Sequence, residues 1–274
     1  MQKVIGYKLL KVDGTSLNGK FKYDLPKNGK PGEWHEVPGN GSYVADLGGD
    51  LFASGCGDVV AKIECKNEIN NIATPRKVRC WRNVRIIEIG NYLDMLPKKQ
   101  FKWRYIAASS VKSLTNKQRW ELVKSIPNSQ GEWRYWAAYY VKGLTNDQKW
   151  ELVKAIPKNS GQWRCNAACD VEGLTNAQRW ELVKAIPKSQ GQWRCYAASD
   201  VEGLTNKQKW KLVKAIPIDS GKWRYYATRD VEGLTNKQRW ELVKAIPNSQ
   251  GEWRYRATRY VKGLTDDQKR ELLL

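Results

Sequence analysis

The chain has 274 residues, with 48 Lys and Arg against 28 Asp and Glu, a formal charge of +20, 14 Trp and a single His. This balance excludes a collagen, a coiled coil and a disordered tail, and the length suffices for one or two buried cores. No run of about 18 apolar residues exists, and the opening MQKVIGYKLLKVDG lacks an apolar secretory core, so a soluble, cytoplasmic protein with no membrane partner is expected. Residues 1–102 hold 17 basic and 11 acidic side chains, net +6, and residues 103–274 hold 31 and 17, net +14. A surplus of this size draws polyanions at long range, and it also serves solubility alone.

Over the first hundred residues Gly, Asp and Asn interrupt short apolar runs: YKLLKV (7–12), KFKYDL (20–25), DVVAKIEC (58–65) and KVRCWRNVRIIEI (77–89). Alternation in the last two and turn residues between the early ones predict a small β-rich domain over 1–90. His35 lies in a Pro/Gly-rich loop beside Glu33 and Glu36, an arrangement open to acid–base chemistry but lacking a placed nucleophile. The glycine-rich run LGGDLFASGCGD (47–58) matches neither a P-loop nor a dinucleotide fingerprint, and Cys56 within it has no evident partner.

Three motifs in this region carry a resemblance: Leu9-Leu10-Lys11-Val12-Asp13-Gly14-Thr15-Ser16, then Leu25-Pro26-Lys27-Asn28-Gly29-Lys30-Pro31-Gly32-Glu33-Trp34, then Lys77-Val78-Arg79. On these, residues 7–89 resemble an uncharacterised bacterial and phage domain family of unknown function. The chain has Gly41-Ser42-Tyr43-Val44 where relatives show a Cys-containing stretch ending in His, so no histidine role carries over. The resemblance implies a domain and no activity.

Residues Ile89 to Leu96, stopped by Pro97, read as a degenerate helix, and 91–102 as a capping helix or linker to the C-terminal region. From 103 to 274 the chain repeats. Trp103, Trp133, Trp163, Trp193, Trp223 and Trp253 are spaced by 30 residues, each followed by Arg, in a frame WRxxAAxxVxGLTNxQxWELVKAIPxSxGx. Five full copies precede a truncated sixth, and a fixed period of this length marks stacked units. Each copy predicts two helices. The second opens on a capping box, from Thr115 with Gln118 to Thr265 with Gln268, carries Trp120, Leu122, Val123 and Ile126 as an apolar stripe, and stops at Pro127 or its equivalent. The first is expected to be capped by Ser129, Asn159, Ser189, Asp219 or Ser249 and to end near Gly143, Gly173, Gly203, Gly233 or Gly263. The fold class is therefore α+β: the β-rich domain followed by an all-α array of αα-hairpins. The architecture is similar to that of tetratricopeptide or HEAT arrays, whose consensus patterns are absent.

With the leading Trp as position 1, positions 1, 2, 5, 6 and 9 of the first helix hardly vary and span about 0° to 140° of the wheel. Positions 3, 4, 7, 8 and 10 vary and span about 180° to 340°. The variable half holds Ile106, Trp136, Tyr139, Tyr140, Tyr196, Tyr226 and Tyr260 with Arg229, Arg256 and Arg259, a composition found at contact surfaces and also in packing between repeats. Three basic columns recur. Position 2 is Arg104, Arg134, Arg164, Arg194, Arg224 and Arg254; position 17 is Arg119, Lys149, Arg179, Lys209, Arg239 and Lys269; position 22 is Lys124, Lys154, Lys184, Lys214 and Lys244. Such ladders suit a phosphate backbone, and they suit surface bridges such as Glu121 to Lys124.

The six cysteines form no CxxC pair, and Cys165, Cys169 and Cys195 read as small residues replacing larger ones, so free thiols, no metal site and no cofactor are expected. The expected function is a non-enzymatic binding protein whose basic solenoid holds a polyanion such as DNA or RNA through the variable aromatic and arginine face. A protein-interaction scaffold, a self-assembling array and an enzyme centred in the N-terminal domain are the alternatives.

Overall fold

The computed structural model describes residues 3–39, 41–46, 49–53, 55–69 and 78–274. Lys77 of the third motif, and Leu47, Gly48 and Ser54 of the glycine-rich run, lie outside the described residues. The chain forms two compact units: Met1–Ile126 with Tyr140–Leu144, and Pro127–Tyr139 with Thr145–Leu274.

In the first unit, strands β1 (Val4–Leu10), β2 (His35–Glu36), β3 (Ser42–Val44), β4 (Val59–Glu68) and β5 (Arg79–Gly90) form one antiparallel sheet. β4 sits between β1 and β5, and the far edge of β5 takes β2 and β3. Along β4 the alternating Ala61, Ile63 and Cys65 face the core, as Val84 and Ile86 do along β5, where they meet Leu10, Tyr23, Val37 and Trp81. The segment KFKYDL, expected as a strand, forms only an isolated bridge between Thr15 and Lys22. Its Tyr23 turns into the core instead, with its hydroxyl 3.0 Å from that of Ser42. The helix expected from Ile89 is also corrected, because β5 continues to Gly90 to complete its pairing with β4. What remains is a single turn, α1 (Tyr92–Met95), capped by Asn91, whose side chain accepts from the Leu93 and Asp94 N–H groups at 2.9 and 3.1 Å. The hairpin α2 (Phe101–Ser110) and α3 (Asn116–Lys124) completes this unit, its Trp103 indole donating to Gly49 O at 3.1 Å and meeting Tyr7 edge-on.

The second unit holds the remaining helices in hairpin order: α4 (Gly131–Tyr140), α5 (Asn146–Lys154), α6 (Gly161–Asp170), α7 (Asn176–Lys184), α8 (Gly191–Asp200), α9 (Asn206–Lys214), α10 (Gly221–Asp230), α11 (Asn236–Lys244), α12 (Gly251–Tyr260) and α13 (Asp266–Leu273). First helices stack on first helices and second on second. Every second helix has both halves of its capping box: in α7 the Gln178 N–H donates to the Thr175 hydroxyl at 3.2 Å, and the Thr175 N–H donates to the Gln178 side chain at 2.8 Å. Leu182, Val183 and Ile186 are fully buried, and each such side chain contributes roughly 1.5–3 kcal/mol through lost water contact. The first helices start one residue later than expected. Ser160, Gln190, Ser220 and Gln250 hold the cap positions, and none makes a side-chain cap bond. Gln190 instead reaches the preceding repeat, accepting from Gly161 N–H at 2.9 Å and donating to Asn159 O at 2.6 Å, and Gln250 does the same with Gly221 and Asp219. The glycine after each first helix is required twice over. Gly203 has φ +77°, and a Cβ there would sit 2.1 Å from the Asn176 amide of the preceding repeat.

Candidate nucleic-acid interface

The repeated basic columns divide by what their side chains touch. The arginines at position 2 all lie inside the hairpins, 5–8% exposed. Arg194 donates to Leu212 O at 3.0 Å, at the C-terminal end of its own second helix, and to Ile186 O, beyond the end of the preceding one. Arg254 repeats this with Leu272 O and Ile246 O, both at 2.9 Å, and Arg104 with Leu122 O at 3.1 Å and Leu96 O at 3.3 Å. Arg134 reaches Leu152 O at 2.8 Å, Arg164 reaches Leu182 O at 3.1 Å, and Arg224 reaches Ile216 O at 2.7 Å. The last carbonyls of a helix are unpaired and carry its negative dipole end, so a fork of N–H donors there serves both. Burial holds the pKa of Arg104, Arg134, Arg164, Arg194 and Arg224 below the usual guanidinium value. This column is a row of rivets, and the expectation that it forms an accessible ladder is corrected.

Position 17 alternates in role as well as in residue. Arg119, Arg179 and Arg239 bond the carbonyls that end their own first helices, through Ala108 and Val111, Ala168 and Val171, and Thr228 and Val231. Lys149 bonds Glu172 O at 3.3 Å and Lys269 pairs with Asp266 at 3.4 Å. Lys209 lies half-buried on the surface of α9.

The variable half of the first helices is mixed. Tyr139, Tyr140 and Tyr260 are 45%, 49% and 57% exposed. Ile106, Trp136 and Tyr226 are half-buried, and Tyr196 lies between the two groups. Rings alternate across the repeats, Trp193 to Tyr196 to Trp223 to Tyr226 to Trp253, with centroids 5.6 to 6.0 Å apart. Arg256 closes the row over Trp253 at 5.1 Å while pairing with Glu252 at 2.8 Å. Arg229 makes two bonds to Asp230, at 2.6 and 2.9 Å, which raises its pKa, and lies 4.7 Å over Tyr226. Arg259 sits over Tyr255 at 5.6 Å. In the third to fifth repeats this edge also carries Asp170, Asp200, Asp230, Glu172, Glu202 and Glu232, so Arg229 stands among carboxylates, whereas the sixth repeat, with Arg256 and Arg259, has Tyr260 and Lys262 at those positions. Position 3, assigned to the variable face, is core in the second to fifth repeats, where Tyr135, Cys165, Cys195 and Tyr225 are buried because each middle helix is covered by neighbours on two sides, while Tyr105 is half-buried and Tyr255 exposed.

The second-helix side is different. A groove runs over α5, α7 and α9, lined by the ammonium-bearing Lys154, Lys158, Lys184, Lys188 and Lys211 against one carboxylate, Glu181. The half-buried indoles of Trp150 and Trp180 also line it. Among the described residues none of these five ammonium groups has a carboxylate within 4 Å. Sequence reasoning reached Lys154 and Lys184 through position 22 and missed the other three. Their signal was present: Lys211 stands where the other repeats have Glu, and Lys158 and Lys188 stand where they have Asn or Ile.

In the sheet, His35 Nε2 accepts from Asp24 N–H at 3.0 Å and its ring packs edge-on against Phe21 and Tyr23. Cys56 is exposed with its thiol pKa raised by partial burial, the opposite of activation. The six cysteines are unpaired, and among the described residues no three metal-type ligands converge. No described helix is long and apolar enough to cross a membrane. No protein-family model, curated protein or solved structure matches the chain, so the resemblance of residues 7–89 rests on its own motif residues.

Proposed function

We propose that the chain is a non-enzymatic binding protein that holds a nucleic acid, DNA or RNA, along the second-helix side of its repeats. The observation that carries this reading is the sorting of charge. Arginines at position 2 turn inward onto carbonyls, the first-helix edge of the third to fifth repeats carries Asp and Glu, and the groove over α5, α7 and α9 holds five lysines against the single carboxylate of Glu181, none of them within 4 Å of a carboxylate among the described residues. A phosphate backbone gains from such ammonium groups by releasing its condensed counterions. Labelled single- and double-stranded DNA and RNA, titrated at about 50 and 200 mM salt, test the reading. Binding that weakens steeply between the two supports it, and no binding at the lower salt overturns it.

The first-helix edge favours a second reading. Exposed Tyr196 together with Asp170, Asp200 and Glu202 at the C-terminal ends of the first helices has the composition of a contact surface for a basic protein segment. Binding of Lys-rich peptides that is lost on changing Asp200 to Asn, with oligonucleotide binding absent, is the result this reading requires.

A further inference from the structure

The lysine at position 22 reaches position 19 of the next repeat at the C-terminal end of the array, whereas Lys124 pairs with Glu121 of its own repeat and Lys154, although position 19 of the next repeat is Glu181, has no carboxylate within 4 Å among the described residues. Lys214 pairs with Glu241 of the next repeat at 2.8 Å, and Lys244 pairs with Glu271 at 2.9 Å. Each also lies over its own repeat's indole, Lys214 over Trp210 at 5.5 Å and Lys244 over Trp240 at 5.4 Å. These ammonium groups are committed to protein partners. The partner residue, at position 19, is Glu121, Glu151, Glu181, Glu241 and Glu271, but in the fourth repeat it is Lys211. Lys184 therefore faces a lysine where the pattern supplies a carboxylate.

A second departure falls on the same groove. Position 26, just past the proline, is Asn128, Ile218 and Asn248 in three repeats and Lys158 and Lys188 in the second and third, and both lysines line the groove. Two unrelated positions thus depart from the repeat pattern toward positive charge, and stacking brings the departures together. Like charges held at a surface cost stability unless an anion lies between them.

We propose that Lys184, Lys188 and Lys211 form the seat for a backbone phosphate of a single-stranded nucleic acid, with Lys154 and Lys158 extending the track. The proposal deepens the nucleic-acid reading above and rests on it. The groove is concave and runs across second helices spaced, in stacks of this kind, by about 8–10 Å, which suits a strand passing over several repeats and not the plane of a bilayer. Trp150 and Trp180 offer partly exposed indoles to unstacked bases, which a single strand can supply and a duplex cannot.

Fluorescence anisotropy with a labelled single-stranded oligonucleotide of about 20 nucleotides at about 50 mM salt tests this on the full chain. Lys211→Glu supplies at position 19 the carboxylate that Lys214 and Lys244 meet in the next repeat and removes one cation from the seat, so it is expected to weaken binding about tenfold while raising the melting temperature. Lys188→Gln is expected to weaken binding severalfold with the melting temperature unchanged. Lys237→Glu, on the exposed start of α11, changes net charge as much as Lys211→Glu and is expected to change affinity less than about twofold. Equal weakening by Lys211→Glu and Lys237→Glu overturns the local seat and leaves the general reading standing, whereas a wild-type chain that binds no oligonucleotide overturns both. Duplex bound as tightly as single strand, or phosphatidylserine vesicles bound in preference to either, also overturns the proposal.

Discussion

The interior and the second-helix surface of each repeat handle positive charge in opposite ways. Inside, a planar guanidinium at position 2 is stripped of water and meets carbonyls at two helix ends. Outside, flexible ammonium groups stay hydrated and meet carboxylates in some repeats and none in others. The difference follows from side-chain chemistry, since the rigid fork of Arg loses less order per bond formed and is more weakly hydrated than an ammonium. It also shows that the +20 charge overstates what a ligand meets, because six arginines at position 2 and three at position 17 are occupied with the backbone.

The contrast is broken most severely from the inside. Arg194→Ala leaves the ends of two second helices without donors and opens a buried gap, and a loss of roughly 2–4 kcal/mol is expected in urea denaturation. Arg194→Lys should recover little of it, since one ammonium cannot reproduce the fork. If Arg194→Ala unfolds at the wild-type urea midpoint, the rivet interpretation fails.

Lys8 sharpens the contrast, because it is a half-buried ammonium inside the sheet unit. It donates to Tyr43 O at 2.8 Å from within the sheet unit, and burial lowers its pKa to about 8. Between pH 8 and its unfolded value near 10.4, the unfolded chain holds this proton and the folded chain does not, so the Lys8 contribution to stability rises with pH. Relative to Lys8→Met, the wild type should gain up to about 3 kcal/mol on going from pH 8 to pH 10.5. Comparing the two variants removes the opposing effect of the Cys65 thiol, which burial raises to about 12. A constant difference across this range contradicts the assignment.

The smallest effect lies outside. Lys244→Gln removes an exposed bridge to Glu271 and should cost less than about 0.5 kcal/mol, read from the same urea curves. A cost comparable to that of Arg194→Ala would erase the distinction between interior and surface.

What could be read from the sequence was what is decided locally. Thr205 and Gln208 specify their capping box within four residues, and Gly203 marks a left-handed backbone, so both stand out in a single copy. The buried arginines escaped because exposure is not written in residue type. The available signal was that position 2 shares the unvarying half of the wheel with the buried alanines at positions 5 and 6. Tyr135 and Cys195 misled in the other direction: their position varies because neighbouring repeats adjust to each other, not because it faces solvent. In the sheet unit the pairing partners lie far apart in sequence. The length of β5, the short β2 at His35–Glu36 and the absence of a strand at Phe21–Leu25 could therefore not be fixed by local pattern. The groove shares this property. Lys158, Lys188 and Lys211 are visible as departures from the repeat, but only stacking shows that they converge.

Lysine acetylation with and without bound single-stranded oligonucleotide, read by mass spectrometry, tests the central claim on the intact chain. Lys158, Lys184, Lys188 and Lys211 should be protected, while the exposed Lys142 and Lys262 after the first helices react as in the free protein. Protection of Lys142 and Lys262 in place of the groove lysines would contradict the account and put the ligand on the opposite face.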